Sequence, residues 1–162
     1  CYHRPALGDG GAAVRSRFVG GLALALALVG LAGCGGDGDE PGAEKQRYIE
    51  QSDTICRETF AKTEALTARD QQTAERASAE WAAAYDKLNA LPVPGEDFEK
   101  ARQFVTDVDN LAMSYTAAAR ALALNQPDKA NEAFADVDMI KQRAAERADD
   151  YGYFDCAGIA QA

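Results

Sequence analysis

FEKARQFVTDVDNLAMSYTAAARAL, residues 98 to 122, decides the fold class. Within it Phe98, Ala101, Val105, Val108, Ala112, Tyr115, Ala119 and Leu122 recur at alternating steps of three and four. A strand would repeat every two residues, so the pattern predicts a helix, over about 96 to 124. The seven-residue repeat implies coiled-coil-like packing against neighbouring helices, because only one stripe of the surface is apolar.

The flanks extend the same reading. Downstream, Pro127 suits the first turn of a further helix carrying Ala130, Ala133, Val137, Ile140, Ala144, Ala148 and Tyr151, with Gly152 placed to stop it. Upstream, Leu91-Pro92-Val93-Pro94-Gly95 removes helical donors and disfavours helix before each proline, which makes a loop. Before that loop Ala74, Ala77, Trp81, Ala84, Tyr85 and Leu88 share one face of a helix over about 71 to 91, with Asp70 as its N-cap. A first helix, about 44 to 68, carries Tyr48, Ser52, Ile55, Thr59 and Leu66 on one stripe and Ile49, Cys56, Phe60 and Thr63 beside it. A turn near Arg69 and an uninterrupted helix both fit the pattern there.

No segment shows a strand pattern. The expected fold is therefore all-α, an antiparallel up-down-up-down four-helix bundle over residues 44–162. Alanine at many seam positions allows close backbone approach, and Trp81, Phe60, Phe98 and Phe104 supply bulk.

The N-terminal third has a different character. Phe18 to Ala32 is fifteen residues without a charge. That is about 22 Å as a helix, short of the roughly 20 residues a bilayer span needs. Arg15 and Arg17 precede an apolar LALALAL run at 22 to 28, and small residues follow it, the three parts of an export signal. Leu31-Ala32-Gly33-Cys34 resembles the lipobox of bacterial lipoproteins at all four positions. The resemblance implies cleavage before Cys34 and acylation of its sulfur, with residues 1–33 as signal peptide and the lipid (palmitate among its acyl chains) as membrane anchor. Residues 1–13 fit a signal poorly, and Val14 as initiator would make them an upstream extension. Residues 34–43, including GGDGDEPG at 35 to 42, have nothing to bury and are expected to be a flexible tether.

Without the leader, 129 residues remain, one domain's worth, with 14 Lys plus Arg against 25 Asp plus Glu, a net charge of −11. Such a surface repels phosphate backbones, which argues against nucleic-acid partners. Once Cys34 carries lipid, Cys56 and Cys156 form an even count in an oxidising setting. A disulfide between them is the favoured reading, and two free buried thiols the other.

Tyr48-Ile49-Glu50-Gln51-Ser52-Asp53-Thr54-Ile55-Cys56 near the mature start, with Tyr151-Gly152-Tyr153-Phe154-Asp155-Cys156 at the end, resembles a group of small helical lipoproteins of actinobacteria. Their function is largely unassigned. The resemblance supports the disulfide and the exported setting and carries no catalytic residue over.

Chemistry is constrained by what is missing. The one histidine, His3, lies in the leader, so the mature chain lacks the side chain needed for Ser-His-Asp or Cys-His arrangements, imidazole zinc sites and the Glu-x-x-His motif of di-iron bundles. Ser52, Ser78 and Ser114 sit in helical patterns without a nucleophile elbow, and the folded part has no glycine-rich phosphate loop. No catalytic residue, metal ligand or cofactor is assigned.

Two groupings remain. Asp107 with Asp109 and Asp136 with Asp138 flank inward valines and are candidates for a cation or an acid-base pair, against the blander reading of a solvated face. Trp81, Tyr85, Phe104 and Tyr115 are candidates to line a ligand cleft between helices, against plain core packing. The leading function is thus a non-catalytic binding or scaffolding module on the outer face of the cytoplasmic membrane, with an envelope protein as partner. A small-ligand carrier or sensor comes second, and a carboxylate hydrolase third. Length and the lack of strands exclude a two-lobed solute receptor.

Overall fold

The computed structural model describes residues 42–162. The expected signal peptide, the expected extension at 1–13, nearly all of the expected tether and Cys34 lie outside the described residues. The chain is all-helical over the described part, with four long helices: α1 (Ala43–Thr63), α2 (Gln71–Asn89), α3 (Phe98–Ala123) and α4 (Pro127–Tyr151). Short 3-10 turns occupy Gly95–Asp97 and Cys156–Gln161.

Each helix boundary has a local cause. α1 stops five residues short of its expected end. The Thr63 hydroxyl bonds back to the Thr59 carbonyl, and the Leu66 N–H closes a tight turn onto the Thr63 carbonyl. The next helix is already capped at Asp70, whose carboxylate accepts the Thr73 N–H at 2.8 Å. That bond holds the Asp70 carboxyl below its usual range. The break near Arg69 is therefore a turn. α3 starts at Phe98, two residues later than expected, because Gly95–Asp97 form a separate 3-10 turn.

α3 ends on Asn125 in the left-handed region (φ 53°), and the Gln126 N–H closes onto the Ala121 carbonyl. Asparagine does here what glycine does at many helix ends. Pro127 then opens α4 at its first turn. Gly152 closes it at φ 97°, with the Tyr153 N–H bonded to the Ala148 carbonyl. An added Cβ would have room, its nearest neighbour being Ile49 Cδ1 at 3.9 Å, so it is the backbone angle that favours glycine.

The seams are built as the alanine pattern implied. Ala74 and Ala77 on α2, Ala101 and Ala118 on α3, and Ala144 and Ala148 on α4 are fully buried. Trp81, Phe104, Leu88, Leu111 and Val108 fill the space between them. One expected bulky residue is not there. Phe98, the first residue of α3, is 46% exposed, with the Arg102 guanidinium 5.9 Å from its ring centre. A helix's first residue lies beyond the reach of neighbours that cover the later turns.

Polar pairs fix how the helices meet. Lys62 pairs with Glu80 at 2.9 Å and Lys87 with Glu58 at 3.1 Å between α1 and α2. Ser78 Oγ donates to the Ala112 carbonyl, and Arg102 donates to Asn89, between α2 and α3. Between α3 and α4 the key group is Asp107, only 1% exposed. Its Oδ1 accepts two bonds from Arg143 and its Oδ2 one from Arg147, at 2.6 to 3.0 Å. Both carboxylate oxygens are thereby occupied, which compensates the charge for its burial.

α1 and α4 do not approach backbone to backbone, no Cα of one lying within 8 Å of the other. The turn Cys156–Gln161 packs on both helices instead. The disulfide consequently ties α1 to this turn and not directly to the last long helix.

Candidate functional site

A clasp joins α1 to residues 152–162. Cys56 and Cys156 form a disulfide, with Cα atoms 5.1 Å apart. Three residues before Cys56, and so on the same helical face, stands Asp53, 8% exposed. Its Oδ2 accepts the Phe154 N–H at 2.9 Å, and its Oδ1 accepts the N–H groups of Asp155 and Cys156 at 2.9 and 3.0 Å. One carboxylate thus satisfies three successive donors at the start of a 3-10 turn, where they have no helical partner. Arg57, one residue after the disulfide, pairs with Asp155 at 2.7 Å on the outside. The pairing of the two cysteines was legible from their count, whereas the role of Asp53 was not assigned. Its spacing from Cys56 was the available signal.

Above the clasp lies an aromatic cluster. The rings of Tyr151 and Tyr153 stack at 4.6 Å, Tyr48 meets both at 5.9 and 6.1 Å, and Phe104 touches Tyr153 at 5.0 Å. Lys45 sits 4.8 Å over the Tyr151 ring and pairs with Asp97 at 2.7 Å, holding the Asp97 carboxyl below its usual range. Burial raises the Tyr153 phenol and pushes Tyr151 up to about 12.

The four aromatics singled out as cleft residues are dispersed. Trp81 is buried against Phe60 at 5.9 Å, and Phe104 belongs to the tyrosine cluster. Tyr85 is half-buried at the edge of the core. Tyr115 borders a cleft of about 240 Å³ near the end of α1. Leu66, Phe134 and Val137 form its apolar wall, with Arg69, Asp138 and Lys141 at the polar side. Arg69 pairs with Asp138 at 3.0 Å and lies 5.3 Å over the Phe134 ring. Lys141 donates to the Ala162 carbonyl, and burial lowers its pKa. Tyr115 is pushed up to about 12, by burial first and by Asp138 second. The cations are thus largely committed to partners within the chain.

The paired aspartates separate in the same way. Asp107 is locked between two arginines, Asp109 is half-buried, and Asp136 and Asp138 are exposed. Arg143, facing Asp107, has its pKa raised by that bond. Among the described residues no three or more His, Cys, Asp or Glu side chains gather to hold a metal ion.

Three phenols with raised pKa make a pH prediction. A tyrosine that ionises near 10 in the unfolded chain but near 12 when folded binds its proton more tightly in the fold. Its contribution to stability is complete below pH 10 and is lost as pH climbs from 10 towards 12. Phenolate absorbance of Tyr115, Tyr151 and Tyr153 should therefore rise together with loss of helical circular dichroism. Full phenol titration at pH 10 with helices intact would contradict this.

No protein-family model, curated protein or solved structure matches this chain. Among the described residues no helix is long and apolar enough to cross a membrane.

Proposed function

We propose that this chain is a lipid-anchored, extracytoplasmic binding or scaffolding module of the cell envelope, held to the outer face of the membrane by acylated Cys34. The observation that carries the reading is the Cys56–Cys156 disulfide, buried and closing 100 residues, a cross-link that persists where thiols are oxidised. It accords with the lipobox-like Leu31-Ala32-Gly33-Cys34 and the acidic, glycine-rich stretch after it. The similarity to small helical actinobacterial lipoproteins points the same way.

The topology belongs to the proposal. We read the helices as an antiparallel up-down-up-down bundle. Partner numbers fall along α2 as they rise along α1, Glu58 meeting Lys87 and Lys62 meeting Glu80; the end of α2 meets the start of α3 through Asn89 and Arg102, and Asp107 in the first half of α3 meets Arg143 in the second half of α4. A non-catalytic role is supported by the engagement of Asp107 and Asp53 in internal bonds. A carrier role for the cleft beside Tyr115 is the second reading, favoured by its apolar wall of Leu66, Phe134 and Val137.

Fractionating cells that produce the full chain tests the anchor. Cys34→Ala should abolish acylation, leave the leader uncleaved by lipoprotein processing, and remove the lipid-dependent membrane fraction. Unchanged processing and retention would overturn the proposal, as would a cytosolic chain with all thiols free.

A further inference from the structure

We infer that the turn 152–156 is a preformed docking element with Phe154 as its anchor. Its partner is a protein surface bearing an apolar pocket rimmed by lysine or arginine. This rests on the binding-module reading above and names the surface and the partner chemistry for it.

Phe154 is 86% exposed, although Tyr153 before it and Cys156 after it are buried. The exposure does not come from a loose segment. The Phe154 N–H is held by Asp53, the disulfide fixes the chain two residues on, Arg57 clamps Asp155, and Gly152 sets the backbone angle on the other side. The other large exposed apolar side chains, Phe98, Met113, Leu124 and Met139, show about half their surface and lie on helices or at their ends. Among the large apolar side chains of the described residues, Phe154 joins near-complete exposure to a backbone fixed from four directions.

A ring presented this way carries little ordering cost on binding, because the backbone is already fixed and only two side-chain torsions remain. Buried aromatic anchors in partner pockets are where interface free energy concentrates. A single ring contributes roughly 150–250 Å² against the roughly 1,200 Å² of a stable interface, so flanking contacts must complete the surface.

Charge selects the partner. Asp149 and Asp150 are exposed just before the turn, Asp155 follows Phe154, and Glu50 is exposed on the adjoining helix. Cations on these elements are engaged within the chain, Arg57 by Asp155, Lys45 by Asp97 and Arg147 by Asp107. Exposed acids on the elements that flank an apolar anchor fit a basic rim. They repel an anionic lipid surface, and they repel a second copy approaching with the same turn.

The test uses the full-length chain in its own cells, with the photo-crosslinking amino acid p-benzoylphenylalanine at position 154 or, as control, at exposed Ala135. One protein adduct specific to position 154, mapping to a partner peptide that borders Lys or Arg, is the first expected result. With that partner purified, Phe154→Ala should weaken binding at least about tenfold, the scale of an anchor residue. Phe154→Leu should weaken it far less, and Asp149→Lys with Asp150→Lys should weaken it in a salt-dependent way. The melting temperature of Phe154→Ala should match wild type, since the ring is mostly solvated, so a folding failure cannot imitate the effect. No adduct above control overturns the proposal. So does an adduct to lipid, to another copy or to the chain's own N-terminal segment, or partner binding that ignores Phe154→Ala. Fractionation of the same cells reads the membrane anchor separately, so loss of one conclusion is distinguishable from loss of the other.

Discussion

The double substitution Cys56→Ala/Cys156→Ala is expected to lower unfolding free energy by about 4 kcal/mol, near the top of the roughly 2–5 kcal/mol seen for removed native cross-links. The bridge spans 100 residues, so the uncrosslinked denatured chain gains nearly the whole domain's conformational freedom. Chain-entropy arguments assign about 4.7 kcal/mol to a loop of that length. Against a typical domain stability of about 5–15 kcal/mol the loss is large without abolishing the fold. The melting temperature should fall by about 15 °C, at roughly 4 °C per kcal/mol for a chain of this size. The denaturant m-value should rise, because the released denatured state exposes more surface. Urea titrations of the two forms check both numbers. A loss below about 1 kcal/mol would mean the bridge only decorates contacts that hold by themselves.

Asp53→Ala should cost about 3 kcal/mol, more than a typical point substitution, because hydrogen bonds to a charged acceptor contribute about 1.5–3 kcal/mol each. Three bonds are lost, yet the sum is not three times that figure. The Phe154 N–H stands beside an exposed side chain and can turn to water, whereas the Cys156 N–H is in a buried bond. Asp53→Asn should cost about half as much, since the amide keeps one oxygen acceptor but sets its NH₂ group against a backbone donor. Asp53 and the disulfide hold the same turn, so their effects should be less than additive, by about 0.5–3 kcal/mol in a double-mutant cycle. Without either hold, the turn opens locally from α1 while α2, α3 and α4 stay packed through their alanine seams. Exchange of the amide protons of 154–156 should accelerate before that of Leu111 or Ala144. Uniform acceleration across the domain would show that the clasp is not a separate unit.

Most of the helical architecture could be read from residue spacing, and the reason is visible in α3. Its apolar positions at three and four leave one face to bury, and Val105, Val108, Leu111, Ala112 and Tyr115 are buried accordingly. Asp70 as a cap, Pro127 as a first-turn residue and Gly152 as a stop act through bonds within a few residues, so local sequence suffices to place them. Phe98 was misplaced because periodicity tells which face a residue lies on and not whether a neighbour extends far enough to cover it. The four aromatics assigned to a cleft share a chemistry and not a location. Ring type says nothing about which cavity a side chain meets: Tyr115 borders a cleft, whereas Trp81 packs on Phe60 and Phe104 on Tyr153.

The amino-acid order by itself determined four helices, their approximate ends and an acidic composition, and favoured the pairing of two cysteines, because each depends on short-range geometry or on counting. Only the folded arrangement decided that the last residues lie between α1 and α4, that Asp53 gathers three backbone donors 101 to 103 positions away, that Asp107 finds two arginines across a helix seam, and that Phe154 faces outward. Those outcomes depend on distances between residues remote in the chain. Packing sets such distances when it removes the apolar faces from water, and no local pattern encodes them.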